Sequence, residues 1–86
     1  MKMKRGREAI ISQMLEICKK GACKTRIVHQ ANLNFRIVNP YINLLIEKEL
    51  IEKKKGQTVL YETTEKGIIL LDNLNYVNRE LSYLSK

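Results

Sequence analysis

The sequence predicts a mainly α-helical chain with one small β-hairpin and a long last helix, and three features carry that prediction. Apolar residues recur at three- and four-residue spacing from Glu8 to Lys48. At Leu50 the period changes: LIEKKKG and TVLYETT are short runs rich in β-formers on either side of Gly56-Gln57. From Thr64 onward a helical pattern resumes with leucines spaced like the seam of a coiled coil.

The first helix spans Glu8 to Lys20. Ile10, Ile11, Met14, Leu15, Ile17 and Cys18 form its apolar stripe, with Gln13, Glu16, Lys19 and Lys20 off it. Two lysines followed by Gly21 suit a helix C-terminus, where cations meet the negative end of the helix dipole and glycine takes a positive φ. ACK (22–24) suits a brief strand. Thr25 is the expected cap of a short second helix reaching Ala31, with Ile27, Val28 and Ala31 inward and Arg26, His29 and Gln30 outward. Asn32, which tolerates a left-handed backbone, ends it, and Leu33 fills the angle before the next helix.

Two starts compete for the third helix. Asn34 caps a helix beginning at Phe35, or Asn39 caps one beginning at Pro40, a comfortable first helical position for proline. The first option leaves Pro40 inside the helix, at about 3 kcal/mol for a regular interior, and predicts a distorted or two-part helix. Either way the body runs to about Lys48 and buries Tyr41, Leu44, Leu45 and part of Ile42. In the hairpin that follows, the lysines also guard an exposed strand edge against unwanted pairing.

Thr64 caps the last helix, which continues to Leu84. Leu70, Leu74, Val77, Leu81 and Leu84 are spaced four, three, four, three, and Ile69, Tyr76 and Tyr83, seven apart, widen the seam. Residues 64–84 would extend about 30 Å at ~1.5 Å per residue, longer than the preceding domain can cover. The exposed leucines and tyrosines call for a partner, most simply a second copy; folding back over its own domain is the alternative. The expected organisation is a basic arm over residues 1–7, a domain over 8–67 and a dimerisation helix over 64–86.

The chain of 86 residues has 16 Lys and Arg against nine Asp and Glu, a net charge of +7. One domain with one modest core fits that length, and the positive field favours polyanions, nucleic acid before an anionic membrane surface. No apolar run is long enough to span a bilayer, and the N-terminal MKMKRGREAII lacks the apolar core of a secretion signal. An intracellular, cytoplasmic and nucleoid-associated protein is expected. Cys18 and Cys23 with the single His29 fall short of a zinc ligand set. They are expected to be free thiols in a reducing cytoplasm, one in a helix core and one on a short strand; a disulfide is the alternative in a hyperthermophile. No metal, cofactor or small-molecule substrate is implied. One histidine, no clustered carboxylates and no Gly-rich phosphate loop argue against an enzyme.

Helix, short strand, helix, tight turn, helix, two-stranded wing, helix is the order of a winged helix-turn-helix. In such a fold the third helix lies in the major groove, and only its outer face reaches base edges. At helical spacing that face is Arg36, Asn39, Pro40, Asn43 and Glu47, with Tyr41 beside it. Asn suits adenine N6/N7 and Arg suits guanine O6/N7, so Arg36, Asn39, Tyr41 and Asn43 are the candidate base readers; a purely solvated face, with Asn39 as a mere cap, is the bland reading. Phosphate candidates surround them: Lys24, Arg26 and His29 at the second helix, Lys53, Lys54, Lys55 and Gln57 on the wing, and Lys2, Lys4, Arg5 and Arg7 on the arm.

The stretches EICKKGACKTRIVHQANLNF, YINLLIEKELI and YETTEKGIILLDNL cover most of residues 16–74, and KTRI, ANLNF and TEKG are the most telling parts. In these the chain resembles the small archaeal winged-helix DNA-binding proteins of the Sulfolobus 10a type. The resemblance implies a homodimer whose last helices pair as an antiparallel coiled coil. It holds two winged helices apart on double-stranded DNA, as a chromatin-associated protein or a transcriptional regulator. Pro40 departs from the pattern, and the last helix stops by Lys86, predicting a shorter coiled coil. A winged helix used only for protein–protein contact is the competing expectation.

Overall fold

The structure, a computed structural model, describes residues 6–84, with side chains through residue 82. Helix α1, Arg7–Ile17, tightens into a 3₁₀ turn at Cys18–Lys20 and stops at Gly21, whose φ of 90° is open to glycine alone at no steric cost. Arg7, assigned by sequence to the arm, is thus the first residue of α1.

Ala22 exchanges two backbone hydrogen bonds with Tyr61, at 3.0 and 2.8 Å. That one-residue strand draws the chain into the sheet, so helix α2, Lys24–Ala31, starts directly after it. Cys23 holds the N-cap position without a side-chain bond, and Thr25 sits inside the first turn instead of capping it. Ile27 and Ala31 are buried and Arg26, His29 and Gln30 exposed, as the spacing requires. Asn32 takes the left-handed backbone at φ 56°, ψ 47°. Its N–H reaches the His29 carbonyl at 3.3 Å, and Leu33 N–H reaches Val28 at 3.1 Å. This is the paired closure of a Schellman motif.

Helix α3 is Phe35–Glu47, capped by the Asn34 side chain, which accepts from Ile37 N–H at 3.0 Å. Of the two starts, the first is realised, and α3 is one helix and not two. Pro40 is its sixth residue, so the ring forfeits only the bond back to the Arg36 carbonyl. Val38, Ile42 and Leu45 straddle it and hold both halves against the core, each at most 2% exposed. They set the rotation of α3, leaving Tyr41 and Leu44 half-buried where full burial was expected. A second Schellman motif ends α3. Glu49 has φ 62°, its N–H meets the Ile46 carbonyl at 2.9 Å, and Leu50 N–H meets Leu45 at 2.8 Å.

Strands β1 (Ile51–Lys54) and β2 (Leu60–Thr63) pair antiparallel, from Ile51 opposite Thr63 to Lys54 opposite Leu60. Residues 55–59 form the tip, longer than the Gly56-Gln57 turn expected: Thr58 and Val59 favour strands but have nothing there to pack on. The Thr63 hydroxyl donates to the Leu15 carbonyl at 2.7 Å in the interior, tying β2 to α1. The core joins Met14, Leu15, Cys18, Ile27, Val38, Ile42, Leu45, Ile51, Tyr61 and Leu71.

Helix α4, Glu65–Leu84, is capped by Thr64 as predicted. The Thr64 hydroxyl accepts from Gly67 N–H at 3.0 Å and donates to the Glu49 carbonyl at 2.7 Å. Lys66 Nζ donates to the Lys48 carbonyl at 3.0 Å, so the start of α4 is fastened to the end of α3. Gly67 permits this approach: a Cβ there would overlap the Leu50 carbonyl oxygen. Gly67→Ala is expected to destabilise the domain by about 2 kcal/mol, read as a Tm lower by roughly 10 °C. An unchanged Tm would show that α4 lifts off Leu50 at no cost. Leu71, which the seam pattern passed over, anchors α4 in the core at 1% exposed. Beyond it the helix extends outward and stretches the molecule to 47 × 28 × 19 Å.

Candidate nucleic-acid interface

Burying Val38, Ile42 and Leu45 turns the opposite side of α3 to solvent. Arg36, Asn39, Pro40, Asn43 and Glu47 are all exposed there. Three of the four base-reading candidates therefore share one outward face. Tyr41 lies on its flank, half-buried against the core and gathered with Arg7, Pro40 and Leu44 around a shallow depression. Arg7 thus reaches the edge of α3 from α1, a proximity that sequence distance hides.

Lys24 and Arg26 occupy the first turn of α2, where unpaired N–H groups add to the attraction for anions; Lys24 is half-buried, and Arg26 and His29 are exposed. Lys53, Lys54, Lys55 and Gln57 are exposed on the wing. Lys54 differs from its neighbours. Its ammonium sits 2.6 Å from a Glu62 oxygen across the hairpin, and that hydrogen bond, then the Glu62 charge, raises its pKa above the ordinary value. An exposed pair of this kind adds little stability, but it offsets one of the wing's three consecutive lysines. Cross-strand pairing of residues 54 and 62 was not readable before the register was known. Lys2, Lys4 and Arg5 lie outside the described residues.

On α4, Leu70 and Leu74 are half-buried, while Val77 and Leu81 are 49% and 55% exposed. The side chains of Tyr83 and Leu84 lie outside the described residues. Ile69 and Tyr76 are each 60% exposed. At about 100° per residue they sit roughly a third of a turn round from the seam, beside it and not in line with it.

Cys18 and Cys23 are free. Burial pushes the Cys18 thiol up from 9.0 to about 11. Its folded pKa is the higher one, so the stability it protects is complete below pH 9 and is lost as pH rises through 11. At pH 10 the protein is expected to be about 1 kcal/mol less stable than at pH 8 from this group. Denaturant titrations of the native protein and Cys18→Ala check it; equal pH slopes for both would refute it. Among the described residues, no three His, Cys, Asp or Glu side chains gather to hold a metal, and no helix is long and apolar enough to cross a membrane.

Three helices around a tight turn, with a two-stranded wing after the third, define a winged helix-turn-helix. The model of the winged helix-turn-helix family matches residues 4–82, and the chain belongs to that family. Two proteins of Methanocaldococcus jannaschii, both described as uncharacterized, are similar to it. MJ0287 is 39% identical over 72 residues, which are 83% of this chain and 71% of that protein. MJ0290 is 36% identical over 78 residues, 90% of this chain but only 36% of that protein. Among solved structures, Sso10a-2, a DNA-binding protein from Sulfolobus solfataricus, superposes with a TM-score of 0.87. It is 24% identical, and the match covers 94% of this chain and 86% of that one. The fold expected from KTRI, ANLNF and TEKG is the fold found.

Proposed function

We propose that the chain binds double-stranded DNA as a homodimer, without enzymatic activity, and that α3 enters the major groove. The observation that carries this reading is the outward set Arg36, Asn39 and Asn43 on a helix whose opposite side is sealed in the core. Arg7 lies at the edge of that helix, and the exposed cations of α2 and the wing are the further candidates for phosphate contact. The family and the DNA-binding description of Sso10a-2 agree with it.

The second copy pairs through α4, whose seam leaves Val77 and Leu81 open to water. Pairing is antiparallel, placing two α3 helices at opposite ends of a rod. The role is regulatory or architectural in the cell's nucleoid, and the two differ in a measurable ratio. Equal affinity for random and selected duplexes means packaging, and a preference of ~10³ or more means an operator.

Titrating random-sequence duplex DNA at rising salt tests the reading. Binding should weaken with a log–log slope close to the number of phosphates neutralised. Exposed Phe35 and Ile37 at the start of α3 favour a second reading, a protein-docking module. Absence of DNA binding at low salt would select it.

A further inference from the structure

The outward face of α3 holds more than the polar residues expected of it. Phe35 and Ile37 are 47% and 39% exposed, Pro40 is exposed and Leu44 half-buried. Ile37, Pro40 and Leu44 follow at three- and four-residue spacing, an apolar stripe beside the polar one of Arg36, Asn39 and Asn43. Neither Phe35, Ile37 nor Leu44 belongs to the buried cluster or packs against it, so the core does not require them. The same helix holds one cation, Arg36, and one anion, Glu47. A face with no net charge is a poor phosphate ligand. The cations stand off the helix instead: Arg7 at its edge beside Tyr41, and Arg26 on α2 and Lys53 and Lys55 on the wing, all exposed.

An apolar stripe on a basic chain suits a polyanion that carries apolar groups in its groove. In duplex DNA the major groove offers one such group, the 5-methyl of thymine, next to the adenine edge that asparagine pairs with. Resting on the DNA-binding reading above, we propose that α3 reads A·T pairs: Ile37, Pro40 and Leu44 cover thymine methyls, while Asn39 and Asn43 bond adenine N6 and N7. The apolar residues exclude water from the methyls and the amides fix the register. Specificity of this kind needs few charged contacts on the helix itself, which is why α3 can be neutral while the protein as a whole is basic.

The test compares three duplexes of equal length: A·T-rich, the same sequence with deoxyuridine for every thymidine, and G·C-rich. Deoxyuridine keeps the pairing and removes only the methyl. Each methyl buried is worth about fourfold in affinity, so two or more per α3 predict binding at least tenfold weaker to the uracil duplex. Ile37→Ala, a substitution at an exposed side chain, should bind the thymine and uracil duplexes more nearly alike. Equal affinity of the native protein for both, with salt-dependent binding intact, overturns methyl reading and leaves DNA binding standing. No binding to any of the three at low salt overturns both, and points to a protein surface as the occupant of the stripe.

Discussion

Replacing Leu81 by glutamate is expected to give a folded monomer. Leu81 is 55% exposed in the single chain and lies far along α4 from the Leu71 anchor, so the change should leave the domain's own melting nearly untouched. In the proposed antiparallel seam the same position becomes interior, and a carboxylate there, set among the partner's apolar side chains, has no cation to offset its desolvation. Sedimentation should show half the native mass. Because two linked sites bind with an avidity far above either alone, DNA affinity should fall by about 10²-fold or more. The Glu80→Gln substitution, one residue away and off the seam, serves as the control and should stay dimeric. A dimer unaltered by Leu81→Glu would place the interface elsewhere, with the Ile69 and Tyr76 side of α4 as the next surface to probe.

Pro40→Ala should stabilise the protein, an unusual direction for a change at a candidate binding face. Alanine restores the N–H that α3 lacks at its sixth residue and removes the ring that crowds the Arg36 carbonyl, a defect of about 3 kcal/mol in a regular helix. Against that stands the freedom proline denies the unfolded chain, about 0.4–1 kcal/mol. A net gain of about 2 kcal/mol and a Tm higher by roughly 10 °C are expected. If the ring contacts DNA, the more stable variant binds A·T-rich duplex less tightly, the usual exchange of stability for function at a site. Equal or lower stability would mean that the surrounding packing already relieves the proline, and the argument for its retention as a contact residue would fail.

The elements of the fold were legible because each left a local mark. Thr64 marked the start of α4, Asn32 the left-handed turn, Gly21 the end of the first helix, and two runs rich in β-formers around Gly56-Gln57 marked the wing. Where local marks conflicted, as at Asn34 and Asn39, the sequence held two answers. The cap bond from Ile37 N–H to Asn34 and the burial of Val38 chose between them. Thr25 was misread as a cap because the strand expected over residues 22–24 is one residue long, Ala22 bridged to Tyr61 nearly forty residues away, so the helix starts already at Lys24. The candidate site was legible in part, through Arg36, Asn39 and Asn43. Its apolar half was not, since an exposed isoleucine and a buried one look alike in a stripe.

Helical and strand periods, caps and charge are properties of neighbours in the chain, and from them alone follow the order of the elements, the winged architecture and the attraction to polyanions. Rotation of α3 about its axis, the pairing that offsets Lys54 with Glu62 and the fastening of Lys66 and Thr64 onto the end of α3 were decided in three dimensions. Each depends on which distant residues compete for the same buried volume or the same unpaired carbonyl. That competition is settled only when all the elements pack at once.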